Sequence, residues 1–141
     1  AFIGLTVRHT RADLIRAVME GVTMNLNIIR RLFLAQGAPI REMRIIGGGA
    51  RGRIWNQILA DVYGMPIQRL ATLEEATSMG AALAGGIGVG LYPDFSMIDR
   101  MNRTVEVFQP DPAAQAVYEK TFPIFEATYR ALEPIYEMMA N

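Results

Sequence analysis

Cysteine is absent from the 141 residues, which excludes disulfides and thiolate-ligated metals. Histidine occurs once, as His9, so a metal centre built on several imidazoles is excluded too. An excess of one charge is also missing. Lys+Arg and Asp+Glu are 14 each, and the formal net charge is +0. That balance points to no nucleic acid and to no anionic membrane as partner. Lysine is nearly missing: Lys120 stands alone among scattered arginines. No basic start precedes an apolar stretch, so the opening does not read as a signal peptide. The longest apolar run, Gly80 to Leu91, is too short and too rich in glycine to span a bilayer. A cytoplasmic location is the expectation.

What is present is ordinary for a globular domain: 51% hydrophobic and 20% charged residues, in a length that suffices for one core. The chain opens as "AFIGLTVRHT" without an initiator Met. It reads as if cut from a longer protein, with residues 1–141 forming a single domain. Catalytic groups are then expected on other segments.

Thr10 and Asp13 have the spacing of a capping box. The helix that follows carries Leu14, Val18, Val22, Leu26, Ile29 and Phe33 at three- and four-residue steps, which predicts one buried face. Gly37 and Pro39 stop it. Met43 to Ile46 reads as a short strand and Arg51 to Tyr63 as a second helix, with Ile54, Trp55, Ile58, Leu59 and Val62 inward. Gly64 and Pro66 end that helix, and Met65 to Leu70 reads as another strand. Thr72 to Glu75, "TLEE", predicts a second capping box before a helix over Leu73 to Ile87, whose inner face is Ala76, Gly80, Ala81 and Ala84. Asp111 and Pro112 start a last helical region with a stripe of Tyr118, Phe122, Phe125, Tyr129, Leu132, Tyr136 and Met139. Pro123 and Pro134 are expected to kink or split it. Strands alternating with helices imply an α/β fold with parallel strands covered by helices. Two strands make a poor sheet, so "FIGLTV" and "TVEVFQ" are further strand candidates.

The segment "RIIGGGARGRIWNQ", Arg44 to Gln57, asks for a chemical reading. Glycines between a strand and a helix let the backbone turn sharply and let a ligand approach without meeting a Cβ. The helix start offers free N–H groups. A tight turn with nothing bound is the plain alternative. Gly47, Gly49 and Gly52 formally match the G-x-G-x-x-G dinucleotide fingerprint. That pattern needs an acidic residue about twenty positions on, where this chain has Gln68 and Arg69.

Three segments together resemble the C-terminal domain of the FGGY carbohydrate kinases, and within that family the members acting on xylulose. They are Gly4 to Leu26, "GLTVRHTRADLIRAVMEGVTMNL"; Arg44 to Ile67, "RIIGGGARGRIWNQILADVYGMPI"; and Glu74 to Asp94, "EEATSMGAALAGGIGVGLYPD". The likeness fades in the C-terminal helices. It implies a ribonuclease-H-like, actin-like ATPase fold, present here in part. It implies ATP or ADP with Mg²⁺ as cofactor and a sugar as substrate, D-xylulose first, with gluconate, ribulose and glycerol as alternatives. The "GGGA" turn is similar to the family's adenosine motif, which sets Gly48, Gly49 and Ala50 against the nucleoside. Some relatives use an Asn on the adenine at the position that is Arg53 here, so Arg53 is the fourth candidate. Where xylulose-type members carry "GGGARS", Gly52 replaces the Ser. The family's aspartate base, magnesium ligands and sugar contacts are implied to lie outside this chain, leaving the 141 residues inert alone.

Other polar residues have plainer readings. Asp13, Glu74 and Glu75 are read as helix caps before catalytic carboxylates. Asp61 is read as bonding within the domain and His9 as a loop residue. Asn25 and Asn27 are read as facing a neighbouring domain. Trp55 is a core residue first and a wall of an adenine pocket second. From other classes, a dinucleotide-binding oxidoreductase fragment and a non-catalytic interaction domain remain as alternatives, and a homodimer is left open.

Overall fold

Thr10 caps α1 (Arg11–Ala35) with both bonds of the capping box: its N–H donates to Asp13 Oδ2 at 2.7 Å, and Asp13 N–H donates to its hydroxyl at 3.5 Å. The Thr10 N–H, and then the Thr10 hydroxyl donating to the same oxygen at 2.8 Å, hold the Asp13 carboxyl below its usual pKa. In the computed structural model, which describes residues 1–140, the helix keeps its length but not its expected inner face. Val18, Val22, Leu26, Ile29 and Phe33 are between 42% and 55% exposed. The residues turned inward are Thr23, Met24 and Asn27. Both inward polar side chains are hydrogen-bonded, Thr23 to a residue outside the helix and Asn27 to one within it. Trp55 Nε1 donates to Thr23 Oγ1 at 3.0 Å, and Arg30 Nε donates to Asn27 Oδ1 at 2.8 Å. Among the described residues, too little packs on the apolar stripe to bury it.

β1 (Met43–Ile45), α2 (Arg53–Tyr63) and β2 (Ile67–Leu70) follow in the expected order. β1 pairs parallel with β2, Met43 opposite Ile67. The "TVEVFQ" candidate forms β3 (Thr104–Phe108), whereas "FIGLTV" forms no strand. β3 runs antiparallel to β2, with Ile67 opposite Phe108 and an irregularity between Arg69 and Leu70. The sheet is therefore mixed, in the order β1-β2-β3, where an all-parallel sheet was expected.

α2 is the hub. Ile58, Leu59, Val62 and Tyr63 join Met24 of α1, Ile67 and Phe108 of the sheet, and Tyr118 and Phe122 of the last helix in one core. Ile54, expected inward, is 63% exposed. Gly64 ends α2 in the left-handed region at φ 62, and its N–H donates to Ala60 O. Asp61 is buried and accepts from Gln57 Nε2 and from the Asp111 N–H, both at 2.8 Å. It ties α2 to the start of the last helix, as a residue bonding within the domain should.

The second capping box does not form. α3 (Ala76–Gly88) starts without a side-chain cap. Asn102 takes the Thr72 backbone, accepting from its N–H at 2.9 Å and donating to its carbonyl at 2.7 Å. Glu74 pairs with Arg51. Nor is the small-residue face inward: Gly80, Ala81 and Ala84 are exposed and Leu83 and Gly86 are buried. Gly86 lies close against Tyr92: a Cβ there would fall 2.5 Å from the ring, so the ring or the helix would have to move. A short helix, α4 (Ile98–Met101), leads to β3.

α5 (Pro112–Ala140) runs unbroken through Pro123 and Pro134. Both prolines are exposed, so water can take up the carbonyls they leave without a donor. Asp111 accepts from the Ala113 N–H at 2.9 Å, as its capping position requires. Tyr118 and Phe122 are buried, while Tyr129, Tyr136 and Met139 at the far end of the stripe are exposed. No helix of the described residues is long and apolar enough to cross a membrane.

Candidate functional site

The chain leaves β1 through Gly47, whose backbone (φ 79, ψ −177) suits glycine alone. Its N–H donates to Leu73 O at 2.9 Å, which fastens the turn to the approach to α3. One turn of 3₁₀ helix, Gly48–Arg51, follows. Ala50 N–H donates to Gly47 O and Gly52 N–H to Gly49 O, both at 3.1 Å. α2 then starts from Gly52, with no side chain capping it.

Gly48 has open space where a Cβ would stand, with no atom within 4 Å. Gly49 is different, because a Cβ there would meet Trp55 Cζ3 at 3.0 Å. The indole lies against Gly49 and is itself held by Thr23 on α1. Ala50 is 0% exposed and anchors the turn in the core. Asn56, also 0% exposed, donates from Nδ2 to Ala50 O at 2.8 Å. Its Oδ1 is buried with no hydrogen-bond partner among the described residues. Such an orphaned acceptor costs roughly 1–3 kcal/mol.

Gly48, Gly49, Gly52, Arg53 and Trp55 line an open cleft of about 670 Å³, with Met19 and Ile54 completing it. Its walls are mostly apolar, and glycine backbone forms one side. Arg53 reaches across to pair with Glu106 of β3, and its guanidinium carbon stands 5.6 Å from the Phe108 ring centre. Glu106 also accepts from Arg69 at 3.1 Å. Three of the four candidates thus border the cleft, and Ala50 supports it from beneath.

The residues fit a nucleoside better than a cation. A cleft with apolar walls and exposed glycine backbone suits a flat base and its sugar. No carboxylate lines it, and no group of three or more acidic or histidine side chains among the described residues is arranged to hold a metal. The dinucleotide pattern has no free acid at the end of β2 either, where Arg69 is engaged with Glu106. Sequence reasoning missed Asn56 and Thr23. Their one signal is a polar residue on a helix side that also carries core residues.

Residues 1–89 match the C-terminal domain of the FGGY family of carbohydrate kinases. The chain belongs to that family. It is 36% identical over 131 residues to a xylulose kinase of Staphylococcus epidermidis, covering 92% of this chain and 26% of that protein. It is 35% identical over 138 residues to an autoinducer-2 kinase of Yersinia enterocolitica, covering 92% and 25%. The chain thus spans about a quarter of the length of the curated relatives it matches. Among solved structures, xylulose kinase from Rhodospirillum rubrum superposes with a TM-score of 0.86 at 32% identity, over 97% of this chain and 28% of that one. Plasmodium falciparum glycerol kinase, solved with ADP, gives 0.73 at 26% identity, over 94% and 26%. The fold is accordingly part of the actin-like ATPase fold of these FGGY sugar kinases.

Proposed function

We propose that this chain is the adenosine-binding lobe of an ATP-dependent sugar kinase, with xylulose as the first candidate acceptor. The observation that carries the reading is the turn between β1 and α2. Gly48 and Gly49 present backbone to an open cleft, and Trp55 closes it from behind. The solved relative with ADP supports the nucleotide, and the xylulose kinases support the sugar. Relatives acting on other substrates keep gluconate and further sugars as alternatives.

In this reading the lobe binds and orients. Gly48 and Gly49 admit the nucleoside, Ala50 fixes their height by its burial, and the stem of Arg53 forms a side wall. When bound, Mg-ATP supplies the phosphoryl group that passes to a sugar hydroxyl. Transfer depends on positioning and on stabilising developing charge. In this reading the base and the sugar contacts lie outside these 141 residues, which alone are expected to transfer nothing.

Trp55 is the sole tryptophan and borders the cleft, so its fluorescence should report nucleotide binding. Titration with Mg-ADP should change the emission, and free nicotinamide, which lacks the adenosine, should not. Gly48→Val places a side chain in open space and should lower ADP affinity by about tenfold or more, one lost contact's worth, with folding unchanged. Gly49→Val is a poorer probe, because its branched Cβ presses on Trp55. A folded wild-type chain that ignores Mg-ADP at millimolar concentration would remove the reading.

A further inference from the structure

The glycine turn is gripped by Asn56, which follows it on α2. Asn56 lies at the end of the first turn of α2, and its own N–H donates to Gly52 O at 3.0 Å. Its side chain reaches back to the Ala50 carbonyl at 2.8 Å. One residue therefore binds the helix to the turn before it, through main chain and side chain at once. The amide orientation follows from chemistry. Rotating it by half a turn would set Oδ1 against the Ala50 oxygen, two acceptors face to face.

The unpaired Oδ1 makes the arrangement informative. A buried amide with half its groups unsatisfied is unfavourable for stability, and an apolar side chain would avoid that. What an apolar side chain cannot supply is the donor to Ala50. Trp55 already supports the turn at Gly49 and Leu73 at Gly47. Asn56 provides the third support, at the end that carries the chain into α2.

We propose that Asn56 is a positioning residue: its amide clamps the Ala50 carbonyl, holds Gly48 and Gly49 at the cleft, and thereby sets nucleotide affinity. The clamp is a statement about the turn, and its effect on affinity rests on the adenosine reading above. Ligand contact is not involved, because Asn56 is fully buried behind the turn.

Asn56→Asp tests it with an isosteric side chain. An ionised Asp would present oxygen to the Ala50 oxygen and repel it. Burial raises the pKa of that carboxyl, and once protonated its O–H can donate as the amide did. Amide hydrogen exchange at Ala50 and Gly52 reads the turn. Trp55 emission reads Mg-ADP affinity. Both are taken at about pH 5 and about pH 8, each relative to wild type at the same pH. At the higher pH, protection at the two amides should fall about tenfold, the weight of one hydrogen bond, and affinity should fall with it. At the lower pH both should return toward wild type. A loss without pH dependence, or none at all, overturns the clamp. If the pH-dependent loss of protection is seen while wild type ignores Mg-ADP, the clamp stands and the adenosine reading falls. Should Asn56→Asp not fold at the higher pH, Asn56→Ala decides. Turn protection lost at both pH values, with the far end of α2 still protected, supports the clamp. Loss throughout α2, or no loss, overturns it.

Discussion

α1 and α2 both carry an apolar stripe and meet opposite fates. In α2 the inward positions Ile58, Leu59 and Val62 are buried, and Ala60, Asp61 and Tyr63 with them, because α1, α5 and the sheet close around it. In α1 the stripe from Val18 to Phe33 is about half exposed, and the helix turns Thr23 and Asn27 inward instead. Periodicity identifies the side of a helix that favours cover. It does not say whether the cover lies among the same residues. Where it is thin, a few hydrogen bonds to Trp55 and Arg30 go with the orientation.

The sharpest break in the comparison is Ile58→Ala. Ile58 is 1% exposed in the middle of the core, so truncation leaves a cavity. The expected loss is about 2–5 kcal/mol of unfolding free energy, read from urea unfolding. A loss below the cost of a surface change would mean that α2 is not the hub.

A smaller effect comes from the seam between α1 and α5. Tyr118 donates to Glu20 at 2.7 Å and accepts from Arg16 at 3.0 Å. Burial first, then its bond to Glu20, pushes the Tyr118 pKa up to about 12. The phenol therefore loses its proton in the unfolded chain before the folded one. Its contribution is complete below the ordinary value of 10.0 and is lost as pH rises toward about 12. Tyr63, also raised by burial, adds to the same alkaline decline. Tyr118→Phe should cost about 1 kcal/mol near neutrality and make the decline shallower. Urea midpoints at about pH 8 and about pH 11 compare the two chains. Parallel declines would show that Tyr118 does not carry the effect.

Local signals were legible where the responding groups are also local. Thr10 and Asp13 form their box, Gly64 ends α2, Asp111 caps α5, and the strand–turn–helix unit around Gly47 stands where its apolar run and glycines put it. "TLEE" has the same spacing as the first box and fails, because a distant partner takes its backbone donor. Asn102 Oδ1 accepts from the Thr72 N–H that Glu75 would have capped. β3 was readable as a strand but not as an antiparallel one, since direction depends on the path through α4. In the site, glycines marked the turn. Asn56 was not legible, because its partner is a main-chain carbonyl six residues back, and any residue could supply one.

The smallest predicted effect tests the other half of the comparison. Ile29 is 50% exposed on α1. Replacing it with Gln removes apolar surface that is already half in water and keeps good helix propensity. Ile29→Gln should change the stability of this chain by less than about 0.5 kcal/mol, measured by the same urea unfolding. A larger loss would mean that the stripe is buried in solution after all. Sedimentation would then distinguish a second copy of the chain, whose contribution depends on concentration, from a local rearrangement, whose contribution does not. A null effect beside the large one at Ile58 would show that the two periodic faces differ by cover alone, because their side chains belong to the same apolar class.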